Sequence, residues 1–453
     1  MTGASGEART SGRTGATATG ASATGASATG ASGRSSPAGT ASTAPAAQPA
    51  GLASVDDYLA EVLAAIRPLP PRELSLDQAG GCVLAADLAA AWPLPPFDNS
   101  AMDGYAVIAA DTAQASADAP VRLPVRGEIA AGVTAAYHVS RGSCARIMTG
   151  APMPGGADAV VPVEWTDGGD EVVAIRQPAS PGNAVRRSGD DAPAGQTLLR
   201  AGTRLGPPQV ALAAAAGQAA VLAWPRPRVT VISTGDELTE PGAPLVPGRI
   251  WESNSYLLAT AARQAGCDVR RLAAIPDDKA AVLAALEDAL AGSDLLITSG
   301  GVSMGGEHDV VKAALSELGT VAFRKVAMQP GMPQGFGVLG EGSTPIFTLP
   351  GNPVSAFVSF CIFVVPALRA LNSHLPERIT RRTATLSAPA GSPAGKRSFL
   401  RGVLDREAGT VAPVSGQSSH QLAALAGADA LIIVPEQVTA LPAGETVDVL
   451  ELP

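Results

Sequence analysis

Apolar positions along the chain fall into five successive rhythms. Residues 54–66, SVDDYLAEVLAAI, place Val55, Leu59, Val62, Leu63 and Ile66 on one helical face behind a Ser54 cap, so the fold is expected to open with an amphipathic helix. From Pro93 to about Val185 the short apolar runs VRLPVRGEI, CARIMTG, AVVPVEW and EVVAIRQ, punctuated by Pro and Gly, predict a β-rich module. After GDDAPAGQTLLRAGTRL comes PPQVALAAAAGQAAVLA, an Ala-rich helical pattern expected to pack back beside the first helix. The β module then reads as an insertion in a helical domain.

At Pro225 the pattern changes. RVTVISTG, CDVRRLAAI, DLLITSGG and TVAFRKVA read as strands separated by helical stretches at 254–265, 279–291 and 309–318, and PIFTLPG with a helix from Pro353 completes the unit near Leu371. That alternation predicts a doubly wound, mostly parallel sheet with helices on both faces. TRRTATLSA, RSFLRGVLD, TVAPVS, ALIIVPE and TVDVLEL then alternate as strands and predict a small β-barrel. The expected organisation is a multidomain α/β plus β chain. It runs as an extension at 1–51, a helical domain from 52–95 and 189–224, an inserted β-rich domain at 96–188, a central α/β domain at 225–374 and a barrel at 375–453.

Composition narrows the function classes. At roughly 150 residues per domain, 453 residues suit about three domains. Hydrophobic residues at 46% and charged residues at 16% suit a large buried core, and a net charge of −9 disfavours a nucleic-acid partner. Residues 1–51 carry no Leu, Ile, Val, Phe, Tyr or Trp, so they are expected to stay disordered, and they lack the apolar run of a signal peptide. Pro366 and Arg369 interrupt the apolar stretch Ser355–Leu371, so no membrane span is expected. Cys82, Cys144, Cys267 and Cys361 are far apart and only four histidines exist, which suggests neither a disulfide framework nor a zinc site and fits a reducing cytoplasm.

Candidate chemistry gathers at three strand ends, Ser233-Thr234-Gly235, Ser299-Gly300-Gly301 and Pro350-Gly351-Asn352. In open parallel sheets ligands bind beyond the carboxyl ends of the strands, where backbone N–H groups and helix N-termini favour anions. Gly300 and Gly301 permit close backbone approach, Ser303 can add a hydroxyl, and Ser355 lies in the first turn of the next helix. Each loop alone also reads as an ordinary tight turn. Neither GxxxxGK[ST] nor GxGxxG is present there, which disfavours an ordinary ATPase or dinucleotide enzyme. Asp236, Glu237, Asp277, Asp278, Glu307 and Asp309 flank these turns, and carboxylates beside an anion cradle call for a divalent cation between them, magnesium by its oxygen preference. Asp277, Asp278 and Asp309 read equally as helix caps. Upstream, Asp98-Asn99-Ser100 reads as a capped turn, Asp103-Gly104 as a hairpin corner, and Arg186-Arg187-Ser188-Gly189-Asp190-Asp191 as a solvated ion-pair cluster.

In order, FDNSAMDGYAV, RIMTGAPMPGGADAVVPVE, ISTGDEL, TSGGVSMGGEHD, LPGNPVSAF and QSSHQLAALAGADALIIVP resemble the molybdopterin molybdenumtransferase family, called MoeA in bacteria, over nearly everything after Leu52. The resemblance implies a Mg²⁺-dependent reaction in which adenylyl-molybdopterin and molybdate give molybdenum cofactor and AMP. By motif match it implies a site lined by Asp103, Thr149, Asp191, Glu237, Asp277 and Asp309, with Glu237, Asp277 and Asp309 serving metal or phosphate. Ser299, Gly300, Gly301, Ser303, Lys325, Pro350, Gly351, Asn352, Pro353 and Ser355 would form the pterin and phosphate cradle. Arg401 and Ser419 match barrel positions linked to function, although Arg401 also reads as a surface strand arginine. The family is similar in being an elongated homodimer whose cleft joins the α/β domain of one subunit to the N-terminal domains of its mate. Contact with molybdopterin adenylyltransferase and with recipient molybdoenzymes is also implied.

The chain departs from that pattern in two places. Gln329 and Met332 stand where many relatives carry lysines, Lys325 being kept, and fewer cations would weaken attraction for molybdate. SMGGEHD runs one residue longer than the commoner spacing, so the motif assigns Glu307 and Asp309 less firmly than the other acids. Three readings compete with molybdate insertion: adenylylation of molybdopterin by ATP, tungstate insertion and a noncatalytic scaffold.

Overall fold

The computed structural model describes residues 51–132, 137–301, 310–317 and 319–452. The expectation for 1–51 therefore lies, but for Gly51, outside the described residues.

A six-stranded sheet forms the centre of residues 226–371, in the spatial order Asp268–Arg271, Arg228–Ser233, Leu295–Ser299, Thr344–Leu349, Pro333–Leu339 and Val321–Lys325. The first four strands are mutually parallel and the last two pair antiparallel. Alternate side chains point to opposite faces of a strand, and here both faces are apolar. Val231, Ile297 and Phe347 meet Leu258, Ala262, Val354 and Phe363 on one side. Ile232, Leu296 and Ile346 meet Val282, Leu286, Val311 and Leu315 on the other. The helices Asn254–Gln264, Lys279–Leu290 and Val310–Glu317 fall where the periodicity predicts them. The helical stretch Pro353–Leu371 is long and apolar enough to cross a membrane by length and composition alone, but it lies two-thirds buried in this core.

Five C-terminal strands close into a ring. Arg397–Asp405 pairs with Thr410–Pro413, then Thr380–Leu386, Thr446–Glu451 and Ala430–Val434 follow, and the last pairs back to Arg397–Asp405. Leu386, Leu404, Val411, Ile432 and Val449 are among the residues that fill its core.

Residues 99–186 carry a five-stranded sheet in the order Ala159–Pro162, Gly104–Val107, Cys144–Ile147, Val121–Ile129 and Val172–Ile175. Tyr105, Val161 and Val173 pack on one side, and Ala106, Ile147 and Val160 on the other. Gly104 begins a strand rather than turning a hairpin corner, and a Cβ there would lie 2.0 Å from the Val161 carbonyl oxygen.

The first helix, Val55–Ala65, is capped by the Ser54 hydroxyl as its sequence predicts. Its partner is a different one from that expected. Val55, Tyr58, Val62 and Ile66 pack into the α/β core with Val326, Met328, Phe336 and Phe363, and Tyr58 meets Phe363 edge to face at 4.8 Å. The Ala-rich helix, Pro207–Ala215, packs instead on a three-stranded sheet of Arg72–Ser75, Ala220–Trp224 and Val83–Leu84, with Leu84, Leu205 and Val221. Its small alanines offer little area to an aromatic-bearing helix, whereas the core beside Phe363 offers much more. Gly217, at φ +78, ends the Ala-rich run, and the chain continues as a strand.

Candidate active site

The chain enters the central sheet at Arg228–Ser233, places Asp268–Arg271 on one side of that strand and then Leu295–Ser299 on the other. The loops after Ser233 and Ser299 leave in opposite directions and open a crevice at this switch in strand order, the place where open α/β sheets take ligands. Its walls are glycine. Gly300, at φ +96, stands so close to Thr234 that a Cβ would lie 2.8 Å from the Thr234 carbonyl oxygen. A Cβ on Gly351 would stand 3.7 Å from Gly300 Cα. The buried Thr234 Oγ1 has no hydrogen-bond partner among the described residues.

Asn254 ties these loops together. Its Nδ2 donates to Ser299 Oγ at 2.9 Å and to the Gly351 carbonyl at 2.6 Å. Ser299 is buried, and its hydroxyl also donates to the Pro350 carbonyl at 3.4 Å. The hydroxyl expected to help line the ligand cradle is thus bound beneath the rim. Ser355 is likewise buried in the first turn of the helix that begins at Pro353. Lys325 ends its strand at the same edge of the sheet as Leu349, with one strand between them, because the two strands run parallel through two antiparallel pairings. Its side chain is exposed, as is Gln329, while Met332 is half-buried.

Acidic side chains flank the crevice on the side away from Gly351. Asp277 N–H donates to Asp236 Oδ1 at 3.1 Å and Asp236 N–H to Asp277 Oδ2 at 3.4 Å, lacing the two loops. The Glu237 carboxylate folds over Gly235, where a Cβ would lie 2.4 Å from Oε2. Of the Asp277–Asp278 pair, only Asp278 caps the following helix, accepting from Ala281 N at 2.8 Å. Among the described residues no three His, Cys, Asp or Glu side chains gather as a metal site. Ser303, Glu307 and Asp309 lie outside the described residues.

The barrel meets this rim directly. Asn352 Nδ2 donates to Ser419 Oγ at 3.1 Å, and Val354 N–H to the Ser419 carbonyl at 3.1 Å. Arg401 is fully buried, which removes the reading of a surface strand arginine. Its guanidinium donates to the Gly416 carbonyl and, at 3.3 Å, to that of Ser418, while Nε and Nη1 have no partner among the described residues. Burial without a carboxylate pushes the Arg401 pKa down. Arg401 therefore holds the loop that carries Ser419.

A second cluster lies on the five-stranded sheet. Asp103 Oδ1 accepts from Thr149 N and Oγ1, and these two donors hold its carboxyl below the usual carboxylate range. Asp98 accepts from Ser188 N at 2.8 Å and Arg187 Nη1 at 2.7 Å, while Arg187 N donates to Asp190 Oδ2 at 2.6 Å. Asp191 N donates to the Leu94 carbonyl at 2.9 Å. Asp98 thus latches the loop bearing Asp191 onto the segment bearing Asp103, and the exposed Arg187–Asp98 pair keeps its solvated character. Asn99 and Ser100 pair as a short strand with Val185 and Arg186 rather than forming only a turn. Among the described residues no hydrogen bond or ion pair joins this cluster to the Glu237–Asp277 rim.

Glu252 and Asn254 were not among the site residues expected from sequence. Glu252 is almost fully buried and accepts from Ser233 Oγ at 2.9 Å and from Ser255 N at 2.8 Å. The polar run Glu252-Ser253-Asn254-Ser255 ahead of an apolar helix was the available signal, and it reads first as a cap.

Crevice, glycine walls, flanking acids and barrel contact define a multidomain α/β protein whose rim suits a phosphate-bearing ligand. Residues 53–217 match the MoeA N-terminal region (domain I and II), residues 230–370 the probable molybdopterin binding domain and residues 383–452 the MoeA C-terminal region (domain IV). The chain is 49% identical to molybdopterin molybdenumtransferase 2 of Mycobacterium tuberculosis, over 87% of this chain and 97% of that one. It is 38% identical to molybdopterin molybdenumtransferase 1 of the same organism, over 87% and 98%. The crystal structure of a molybdopterin biosynthesis MoeA protein from Pyrococcus horikosii, 34% identical, matches with a TM-score of 0.60 over 88% of this chain and 99% of that one. The chain belongs to the molybdopterin molybdenumtransferase family, MoeA.

Proposed function

We propose that this chain inserts molybdenum from molybdate into adenylyl-molybdopterin, releasing AMP, at the crevice between Thr234 and Gly300. The observation that carries this reading is the convergence of Thr234, Gly300 and Gly351 at the switch in strand order, with Asp236, Glu237 and Asp277 beside it. Glycine walls let backbone N–H groups approach a phosphate, and the buried Thr234 hydroxyl is an open polar group for the ligand.

The acids offer oxygen donors only, which fits Mg²⁺, an ion that takes one or two carboxylates and completes its shell with water and substrate phosphate. Glu237 and Asp277, with Asp309, would hold it, and when bound it would offset the charge developing on the phosphoanhydride as AMP departs. Asn254 keeps the cradle in register by fixing Ser299 and Gly351, and Arg401 fixes the loop through which Ser419 meets Asn352. Lys325 supplies a cation at the rim for the molybdate dianion.

Asp103, Thr149 and Asp191 complete the site from a second subunit in this reading, since Asp103 and Thr149 flank strands of a separate sheet and Asp191 lies in the loop latched to it. Exposed Leu245, Val246, Ile250 and Trp251 support a homodimer. The four free, buried cysteines suit a reducing cytoplasm.

The test supplies purified protein with adenylyl-molybdopterin, Mg²⁺ and molybdate, then follows AMP release and activation of an apo-molybdoenzyme. Both are expected. Formation of adenylyl-molybdopterin from ATP in their place would assign the sibling reaction, and inertness in both assays would assign a scaffold.

A further inference from the structure

Glu240 binds three separate elements at once. Its carboxylate accepts from Arg271 Nη1 at 3.0 Å and Nη2 at 3.2 Å, from Tyr256 Oη at 3.0 Å and from Ala274 N at 3.4 Å. Arg271 ends the strand Asp268–Arg271, Tyr256 lies in the helix Asn254–Gln264, and Ala274 lies in the loop that leads to Asp277. Glu240 itself closes the segment that carries Asp236 and Glu237. Arg271 Nη1 also donates to Ser255 Oγ at 3.2 Å, and its guanidinium stacks 4.1 Å from the centroid of the Tyr256 ring. Glu252, buried 4.0 Å from Arg271, holds Ser233 at the end of the neighbouring strand.

Apart from this web, the two acid-bearing loops are joined by the Asp236–Asp277 hydrogen bonds, by Gly235 N donating to the Ile275 carbonyl at 3.1 Å and by Ile275 N donating to the Ser233 carbonyl at 2.9 Å. We propose that Glu240 and Arg271 are positioning residues whose clamp sets the spacing of Asp236 and Glu237 against Asp277, and through it the affinity of the rim for a divalent cation. The inference rests on the cation role assigned to that rim under the proposed function. The ion pair is only partly exposed, so the melting temperature of each variant is measured beside its cation affinity to separate positioning from folding.

Charge alone and the clamp predict opposite signs for one variant. Arg271→Met removes a positive charge, which by itself would tighten cation binding, whereas loss of the clamp weakens it. Mn²⁺ binding to the full chain with AMP present, followed by electron paramagnetic resonance, is expected to weaken about tenfold in Arg271→Met, equivalent to about 1.4 kcal/mol. Arg271→Lys, which keeps the charge but not the two-pronged contact, should recover part of the loss. Equal or tighter binding in Arg271→Met overturns the clamp alone. A wild-type chain with no Mn²⁺ affinity overturns the functional reading beneath it. If Arg271→Met does not fold, Tyr256→Phe decides: weaker binding supports the clamp, and unchanged binding removes it.

Discussion

Asp103 Oδ1 accepts two hydrogen bonds from Thr149, from the backbone N at 2.7 Å and from Oγ1 at 2.8 Å. One carboxylate oxygen thereby fixes both the main chain and the side chain of a residue 46 positions away. Thr149→Val removes the hydroxyl donor and keeps the backbone one. The Asp103 pKa should rise toward its ordinary 3.8 while staying below it, as read by a carbon-13 carboxylate titration. Because the folded value is depressed, the stability this pairing contributes is present above 3.8 and lost as pH falls through the lowered value. Acid unfolding of the variant should begin at higher pH than in wild type, and coincident profiles would argue against the pairing.

Gly300→Ala tests the crevice. The new methyl would enter the 2.8 Å gap to the Thr234 carbonyl oxygen in a left-handed backbone conformation, at a cost of roughly 1–3 kcal/mol. A lower urea midpoint together with lost AMP release is expected. Full activity would place the ligand elsewhere.

Glu237 is exposed and lies over Gly235. Glu237→Ala should melt with wild type yet fail to release AMP, and Asp309→Ala should do the same. Wild-type turnover in both variants would overturn their assignment.

Tyr58 carries a buried hydroxyl with no partner among the described residues, and burial pushes its pKa up. Phenylalanine keeps the edge-to-face contact with Phe363 and removes an unsatisfied polar atom. Tyr58→Phe should leave the Tm unchanged or raise it. A Tm drop of several degrees would reveal a partner for that hydroxyl.

Much of the central sheet was legible because RVTVIS, LLITS and PIFTL are mostly apolar, β-branched runs of strand length, as strands covered on both faces tend to be. The strand Pro333–Leu339 was not among the expected strands, since Pro333, Gly335 and Gly337 are residues that strands disfavour. Those glycines are there for space: a Cβ on Gly337 would lie 2.1 Å from the Thr320 carbonyl oxygen, and one on Gly335 2.9 Å from Thr348 Cβ. The partner of the first helix could not be read either, since an apolar stripe shows that a face is covered and not by what.

The candidate site divides in the same way. Glycines and acids at strand ends stand out in the sequence, because their chemistry is local. The Asp98–Arg187 latch spans 89 positions, and Asn254 reaches 97 positions to Gly351, so only the folded chain shows them. The surface alternative for Arg401 fails because strand Arg397–Asp405 is buried at both parities from Ser398 to Gly402, closed in by the barrel on one side and by the 416–418 loop on the other.

The seat of the first helix among Val326, Phe336 and Phe363 also bears on synthesis. During translation that helix leaves the ribosome long before its binding surface exists, and its apolar stripe must wait, uncovered, while the intervening modules form. A nascent chain halted before Phe363 would present this stripe to chaperones, and release of the arrested product would then favour clumping over assembly.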